Sequence, residues 1–472
     1  MRAIVAVFLC CWILGISTAV FDVPLLVLVM IGGGVALVMI LFPFSLPRII
    51  AAVAIYILAV VYGGGHSVPT PVSCDLHSTS DATLVRTVGS YATHTRSVFK
   101  RDDGCLLFVY VPISPKLIEG ARVTIEGKQE LVEVAFSSLP DYAARLREEG
   151  IQAVVRTPDI TLHEQGHSVM SVSRLALASR MNKLFGEPDA GILVAMTVGD
   201  RGMIPRSISD SFRKSGITHI LSISGFHVSL LAGILAFLLL RFPLPVVLHY
   251  AIMLGVLWTY IWAIGFDPAA VRAGLFWTCY MAAYRTHSLI GLPSVILITC
   301  AIVVTSDPSI VRSIGFELSV AAVCGIGMAA VFLRSFSIPS SIRPLVLLVA
   351  VSLGATIATL PLTAYYFGTF SLIGIVTNMI VVPLVAILMY VVLFGLALSF
   401  IAYPLALLTT SISHAIMSLV LLTADTAARV PYGSFQDAFL PGWGIALYYV
   451  VVCCACAVGM RYRKVSIREF WV

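Results

Sequence analysis

Long apolar stretches, separated by short polar breaks, run along most of the chain. Three of them occupy residues 4–20, 24–42 and 48–64, and the others follow after residue 219. A helix of roughly 20 apolar residues is long enough to cross the hydrocarbon core of a bilayer. The pattern therefore predicts a polytopic, all-α membrane bundle of about 10–12 transmembrane helices, with residues 1–65 forming its first spans.

The later spans are predicted from the same signal. One of them, at 371–400, is long and contains Asn378 and Pro383, so it is predicted to be a half-helix followed by a full span. The predicted spans lie near 220–240, 246–265, 269–286, 289–306, 314–333, 344–364, 371–400, 404–424 and 442–460.

Residues 66–170 form a polar segment with a different pattern. Apolar and polar residues alternate in runs such as 84–88, 105–111, 122–126 and 153–156, and Gly, Pro, Asp and Ser separate these runs. Alternation of this kind predicts five or six short strands, which suit a small β barrel or sandwich. A short helix is predicted between strands at 140–147.

Two basic, amphipathic segments open the remaining domain, which is predicted to cover residues 171–470. The first is 171–186, with Arg174, Arg180 and Lys183, and the second is 205–214. Both are too polar to span a membrane, and such helices lie in the plane of the membrane surface.

Composition supports the membrane assignment and orients the chain. Of the 472 residues, 59% are hydrophobic and only 11% are charged, whereas a soluble domain carries about 25% charged residues. Basic residues in short loops mark the cytoplasmic side. With Arg2 and Arg48 on the cytoplasmic side, the third helix exits on the outer side, so the segment 66–170 is predicted to be extracytoplasmic. The alternation of basic and acidic loops after it predicts cytoplasmic termini. The basic positions are Arg241, Arg285, Arg334, Arg343, Arg461, Arg463 and Lys464, and the acidic ones are Asp267, Asp307 and Asp437.

Two cysteines stand apart from the other eight. Cys74 and Cys105 lie in the polar segment, whereas the rest lie in apolar stretches, where cysteine behaves as a small hydrophobic residue. An isolated pair of this kind predicts one disulfide and an oxidising compartment.

Residues 163–167 read HEQGH and match the HExxH pattern of zinc proteases. That chemistry requires both histidines on one helical face, yet residues 159–162 have a strand pattern and Gly166 interrupts the motif. We therefore interpret His163 and His167 as an accidental match and predict no metal site and no cofactor. The chain also lacks the GxxxxGK[ST] motif of an ATP-driven motor.

The segment 199–228 combines charged and small polar residues with an apolar run. Asp200 and Arg201 come first, and Ser222, Ser224, Gly225 and His227 lie in the apolar part. Ionisable residues in membranes usually face a protein interior or a wet cavity. On a helix, Ser222, Gly225, Ser229 and Ala232 would share one face. That face serves either tight helix packing or the passage of a bulky polar substrate, and the residues alone do not decide between these.

This segment resembles the signature of the ComEC competence family, the inner-membrane channel that imports transforming DNA. Further similar segments follow in the same order and at similar spacing, so the resemblance covers nearly the whole chain. The segments are 199–201 (GDR), 212–219 (FRKSGITH), 224–228 (SGFHV), 271–274 (VRAG), 315–319 (GFELS) and 366–371 (YFGTFS), followed by Asn378 and Pro383.

The resemblance implies an OB-like fold for residues 66–170. Many members also carry a C-terminal metallo-β-lactamase-like domain with an HxHxDH motif, thought to degrade the strand that is not imported. This chain ends about 12 residues after its last predicted span and lacks that motif, so we expect no nuclease and no other enzymatic activity in it.

Further residues gain candidate roles from the resemblance. Arg272 either reaches the outer interface or pairs with Asp267, or it contacts a passing phosphate, and the resemblance favours the phosphate contact. Glu317 is a candidate partner for it. Asn378 offers hydrogen bonds where the helix is predicted to break.

We therefore expect a channel for single-stranded DNA in the bacterial cytoplasmic membrane. The residues expected to line it are Asp200, Arg201, Ser222, Ser224, Gly225, His227, Arg272, Glu317 and Asn378. The implied partners are the lipid bilayer, a separate DNA receptor, a cytoplasmic helicase and, where one is needed, a separate nuclease. Two alternatives are a small-solute or ion transporter and a membrane-bound hydrolase.

DNA binding by the polar segment has weak support from sequence. The segment carries 10 Lys and Arg against 13 Asp and Glu, whereas nonspecific DNA-binding surfaces are basic. Its aromatic residues suit base stacking and core packing equally well. They are Tyr91, Phe99, Phe108 and Tyr110.

Overall fold

The computed structural model describes residues 79–435 except 91–93, 113–116, 138–145, 148–149, 157, 286–291, 335 and 337, together with a few short pieces outside this range. Strands occupy the first part of this range and helices most of the rest. The spans predicted at 1–65 lie almost wholly outside the described residues, as does much of the span at 442–460.

Seven of the described strands form one sheet. They are β1 (Thr79–Ser90), β2 (His94–Arg101), β3 (Leu106–Pro112), β4 (Arg122–Glu126), β5 (Gln129–Leu131), β6 (Ile151–Val155) and β7 (Asp159–Glu164). The hydrogen-bonded order is β5-β6-β3-β2-β1-β4-β7. The pair β3–β6 is parallel, whereas the other pairs are antiparallel.

The strand pattern follows from side-chain alternation, because successive residues of a strand point to opposite faces. On β3, Leu107 and Val109 enter one apolar cluster, whereas Phe108 enters a second one with Val154. The short helix α1 (Val132–Ala135) contributes Val132 to that second cluster. A β-rich domain is thus confirmed, whereas closure into an OB-like barrel stays a prediction.

Cys105 is fully buried in this domain and is disulfide-bonded. Cys74, its predicted partner, lies outside the described residues, so the pairing stays a prediction. Most of the helix predicted at 140–147 also lies outside them.

The helical region begins soon after β7. Its helices are α2 (Val169–Phe185), α3 (Asp189–Val198), α4 (Arg206–Lys214), α5 (Gly225–Leu239), α6 (Val246–Ala263), α7 (Pro268–Arg285), α8 (Leu292–Ser306), α9 (Ile314–Arg334), α10 (Arg343–Phe367), α11 (Gly374–Ile401) and α12 (Tyr403–Ala428). The chain is thus mostly helical within the described range.

Four of the described helices are long and apolar enough to cross a membrane: α6, α10, α11 and α12. By contrast, α5 and α8 each have 15 residues. A helix of that length measures about 22 Å, against about 30 Å for the hydrocarbon core. A mostly helical chain with four candidate membrane-spanning helices is therefore confirmed, whereas the polytopic bundle of 10–12 spans stays a prediction.

The ten residues of α3 are all buried. The helix packs against α2, and its apolar side chains share a core with Val385 of α11 and Met417 of α12. The hydropathy pattern did not predict this helix, because a ten-residue apolar stretch is too short to span a membrane. Its burial on all sides depends on tertiary packing, which the local pattern does not encode.

Two local predictions are wrong. The segment predicted as a half-helix plus a span is one helix, α11, which contains Pro383 in its interior. Packing of Val381 and Val385 against the core holds the helix together across the proline. Ser222 has extended backbone and precedes α5, so it does not share a helical face with Gly225.

Small residues allow two helix pairs to approach closely. A Cβ atom on Gly325 of α9 would lie 2.1 Å from the carbonyl oxygen of Gly354 on α10. Likewise, a Cβ on Gly395 of α11 would lie 2.2 Å from Oγ1 of Thr409 on α12. These contacts fix α9 against α10 and α11 against α12.

Backbone contacts join three loops into a group that we call the clasp, made of Gly216, Ser371, Gly374 and Gly433. A Cβ on Gly216 would lie 2.8 Å from Gly374 Cα. Ser371 Oγ donates to the Lys214 carbonyl at 2.9 Å, and the Gly433 carbonyl accepts from the backbone after Ser371. The strands β8 (Phe370–Ser371) and β9 (Ser434–Phe435) pair beside it.

Candidate functional site

The start of α5 carries a buried histidine. Ser224 precedes the helix, and its backbone amide donates to Nδ1 of His227 at 3.2 Å. Ser224 Oγ lies at the same distance from this nitrogen. The two residues form a capping box, in which each side chain accepts from the backbone amide of the other residue. His227 is 1% exposed. Its other ring nitrogen, Nε2, is buried and has no hydrogen-bond partner among the described residues.

Arg272 lies near the start of α7 and is also incompletely bonded. Its Nη2 donates to the Gly315 carbonyl at 3.0 Å. Its Nε and Nη1 atoms are buried without a hydrogen-bond partner in the described part of the chain. Asp267, the alternative partner, caps α7 by accepting from the Ala269 amide at 2.9 Å. The guanidinium therefore keeps donors available inside the helical region.

Glu317 bonds to a neighbouring helix, and Asn378 lies within a continuous helix. Glu317 accepts a hydrogen bond from the Tyr366 hydroxyl at 2.6 Å, and no hydrogen bond joins it to Arg272 in the described structure. Asn378 lies in the second turn of α11, where the helix continues unbroken. Its Oδ1 atom is buried and has no hydrogen-bond partner among the described residues.

Asp200 and Arg201 lie apart from these residues, in the loop after α3. Gly199 ends α3 in the left-handed conformation, with φ of 81°, which favours glycine. Asp200 Oδ1 then accepts from the Gly202 amide at 3.0 Å. Asp200 lines a cavity between this loop, α2 and the β domain, and Arg201 is exposed.

The structure brings some of the predicted residues together through shared helices. Gly225 of α5 approaches Ala273 of α7, where a Cβ on the glycine would lie 3.6 Å from the alanine Cβ. Arg272 then reaches Gly315, and Glu317 reaches Tyr366. A continuous series of contacts thus runs from α5 through α7 and α9 to α10. Asp200, Arg201 and Ser222 take no part in this series of contacts.

Sequence reasoning missed the polar residues of α2 that face the cavity. Arg174, Asn182 and Lys183 all line it. The only signal was the basic, amphipathic pattern of 171–186, which we assigned to the membrane surface. Arg180, from the same pattern, has a structural contact instead, because its Nε donates to Ser399 Oγ at 2.8 Å.

A cationic and aromatic cluster lies on β2 and β3. The guanidinium of Arg96 sits over the Tyr110 ring at 5.5 Å, and the His94 ring lies 5.1 Å from it. Burial lowers the pKa of His94, and the charges of Arg96 and Arg206 lower it further. By contrast, Phe99 and Phe108 are fully buried, so core packing explains them, and Tyr91 lies outside the described residues.

The HEQGH segment does not form a helix. His163 and Glu164 end β7, and residues 165–168 are irregular. His163 Nε2 lies 2.6 Å from Thr124 Oγ1, which donates to Asp81 Oδ1 at 2.5 Å. Within the described ranges, no three His, Cys, Asp or Glu side chains gather as metal ligands.

Comparison with known proteins assigns the helical region. A family model described as Competence protein matches residues 196–462. ComE operon protein 3 of Bacillus subtilis (strain 168) is 28% identical over 217 residues, which are 46% of this chain and 27% of that protein. The uncharacterized protein YcaI of Escherichia coli (strain K12) is 27% identical over 256 residues, 50% of this chain and 31% of YcaI.

The chain thus matches less than a third of the length of either relative, and no solved structure matches it. The family match itself begins in α3, contains Asp200, His227, Arg272 and Asn378, and extends over more than half of the chain. This protein therefore belongs to the ComEC-type competence proteins, a membrane protein family involved in DNA uptake.

Proposed function

We propose that the helical region conducts single-stranded DNA across the bacterial cytoplasmic membrane. One observation carries the proposal: Arg272 has two buried guanidinium nitrogens without hydrogen-bond partners among the described residues. A buried polar group without a partner is costly, and ionisable residues inside membranes typically mark a substrate path. A guanidinium with free donors matches the oxygens of a phosphate.

Two further groups support a polar path. His227 Nε2 and Asn378 Oδ1 are also buried and unpartnered in the described region. With Arg272 they supply hydrogen-bonding atoms from α5, α7 and α11. A strand with one charge per nucleotide needs exchangeable contacts of moderate strength, because tight binding at one point would stop conduction.

The proposed mechanism involves no covalent step. Phosphates would pass Arg272 one after another, beside the place where Gly225 of α5 and Ala273 of α7 pack closely. A separate cytoplasmic helicase, or proteins that capture the incoming strand, would supply the energy, and a receptor would deliver the DNA. In this proposal the β domain is extracytoplasmic and both termini are cytoplasmic.

The test is DNA uptake in a transformable host whose copy of this gene is deleted. Labelled DNA that enters the cytoplasm is measured after complementation with wild type, Arg272→Ala, Arg272→Lys or Arg241→Ala. Arg241 is the matched control, because it is exposed and its guanidinium stacks on Phe237 at 4.8 Å. Membrane abundance of each variant is measured in parallel.

We expect wild type and Arg241→Ala to restore uptake. Arg272→Ala should lower it by about tenfold or more, since losing one charged hydrogen bond costs about 1.5–3 kcal/mol. DNA uptake with Arg272→Lys should lie between the uptake with wild type and that with Arg272→Ala. If deletion leaves DNA uptake unchanged, the channel proposal is wrong, and altered uptake of a small solute would then favour the transporter.

A further inference from the structure

A cavity of about 670 Å³ lies where the β domain meets the helical region. Strands β1 and β2 contribute Thr87, Thr95 and Ser97 to its wall. The opposite wall comes from α2, the end of α3 and the Asp200 loop. Sites for small ligands typically measure about 300–1,000 Å³, so this cavity is large enough for a nucleotide.

The lining of the cavity contains two acidic and two basic side chains. Glu119 and Asp200 provide two carboxylates, and both are engaged: Glu119 accepts from Ser171 Oγ at 2.8 Å, and Asp200 accepts from the Gly202 amide. Arg174 and Lys183 provide two cations. Neither cationic side chain forms a hydrogen bond or ion pair with the residues that the structure describes. Among the charged groups of this cavity, the two that keep their hydrogen-bonding capacity are therefore the cations.

The position of Arg174 connects the cavity to the helical region. Its Nη2 lies 4.0 Å from the place of a Cβ on Gly199, and its Nη1 lies 3.9 Å from that of a Cβ on Gly265. Gly265 precedes Asp267, the cap of α7, and α7 carries Arg272. A ligand held by Arg174 would thus lie beside the loop that leads into this helix.

Neutral hydrogen-bonding groups and apolar surface complete the lining. Asn182 has a buried Oδ1 without a hydrogen-bond partner in the described chain. Thr95 and Ser97 add hydroxyl groups, and Val194 and Val198 of α3 form an apolar floor. This combination suits a nucleotide: the cations suit its phosphate, the hydroxyl groups suit its sugar, and the apolar floor suits its base.

We infer that this cavity binds a nucleotide of the incoming single strand, with Arg174 and Lys183 contacting its phosphates. The inference rests on the proposed function and names a binding site for its substrate. The two carboxylates offset the two cations and keep the attraction moderate, as passage of the strand requires.

The test measures binding to the purified full chain in lipid nanodiscs. The probe is a fluorescent oligothymidylate, and its affinity is measured by anisotropy over a range of salt concentrations. The variants are Arg174→Ala, Arg174→Lys and Lys183→Ala. The control is Lys128→Ala, because Lys128 is exposed on the β domain and pairs with Glu130 at 2.9 Å.

We expect Arg174→Ala and Lys183→Ala each to weaken binding by about tenfold, in line with the loss of a charged hydrogen bond. Each should also make the negative slope of log affinity against log salt shallower by about 0.7, the value for one phosphate contact to a single strand. Arg174→Lys should retain the slope, and Lys128→Ala should change neither quantity.

Unchanged affinity and salt slope in both alanine variants would overturn the inference. Lys183 is exposed at the end of α2, so its variant remains informative if Arg174→Ala fails to fold. The outcome is separable from the uptake test. Normal binding by the variants, with uptake abolished by deletion, rejects this site alone, whereas weakened binding with normal uptake in the deletion strain rejects the channel alone.

Discussion

The hydroxyl of Tyr366 donates a hydrogen bond to Glu317 at 2.6 Å, and this bond joins α10 to the first turn of α9. Gly315, in the same turn, accepts from Arg272. Residues from three separate sequence motifs therefore meet at one place. In the sequence, Tyr366 is only the first residue of the motif at 366–371. The structure shows that its hydroxyl bonds to Glu317.

Replacing Tyr366 with Phe removes this bond and should lower stability by about 1.5–3 kcal/mol, the range for a hydrogen bond to a charged group. The apparent unfolding temperature of the purified protein measures the loss. Tyr365→Phe is the control, because its hydroxyl has no hydrogen-bond partner among the described residues, and it should unfold as wild type does. Equal unfolding temperatures for both variants would contradict the prediction.

Replacing Gly325 with Ala should separate α9 from α10, because the new Cβ would lie 2.1 Å from a backbone oxygen. Overpacking of this kind costs typically 1–3 kcal/mol, so the yield of monodisperse protein should fall. Gly327→Ala lies on the same helix with open space around its Cβ and should purify normally. Equal yields would show that the two helices can move apart without cost.

The two roles of His227 can be separated by substitution. Ser224→Ala weakens the cap of α5 and should cost about 0.5–2 kcal/mol. His227→Gln retains a side chain that can reach the Ser224 amide, as Gln does in other capping boxes, but it loses the ring nitrogen Nε2. We expect it to unfold like wild type and to reduce DNA uptake. Normal uptake by His227→Gln would restrict the histidine to capping.

Acid should weaken the β domain through Asp103. Hydrogen bonding from Arg101, at 2.9 Å from Nε, is the main cause that lowers the pKa of Asp103 to about 2. The folded state therefore gains stability above the ordinary pKa near 4, and this gain is lost as the pH falls from about 4 to 2. Because the carboxylate is half exposed, solvent limits the effect to about 1 kcal/mol or less.

The urea unfolding midpoint, followed by circular dichroism from pH 5 to pH 2.5, measures this effect. Asp103→Asn should flatten the pH dependence relative to wild type, because the variant cannot lose a charge there. The two proteins should differ most at the upper end of the range. Parallel curves would mean that the Arg101 contact contributes nothing to stability.

Sequence reasoning located most helices and strands, because their signals are local. For α6, the predicted range 246–265 differs from the observed Val246–Ala263 by two residues. The strand β4 agrees with the predicted 122–126. By contrast, α3 and the unbroken course of α11 through Pro383 depend on neighbours far away in the chain.

The candidate site was predictable as a set of residue types but not as a set of contacts. The family resemblance pointed to Arg272 and Glu317, yet their partners are Gly315 and Tyr366. The cavity beside Arg174 escaped notice because its two walls are assembled from segments that the sequence assigns to different domains. Such an assembly has no periodicity that a linear pattern could reveal.

The clasp has a mechanical consequence. It ties the end of the basic helix α4 to the start of α11 through backbone contact, so neither helix can slide without the other. A displacement of the end of α4 would therefore displace the start of α11, one turn before Asn378.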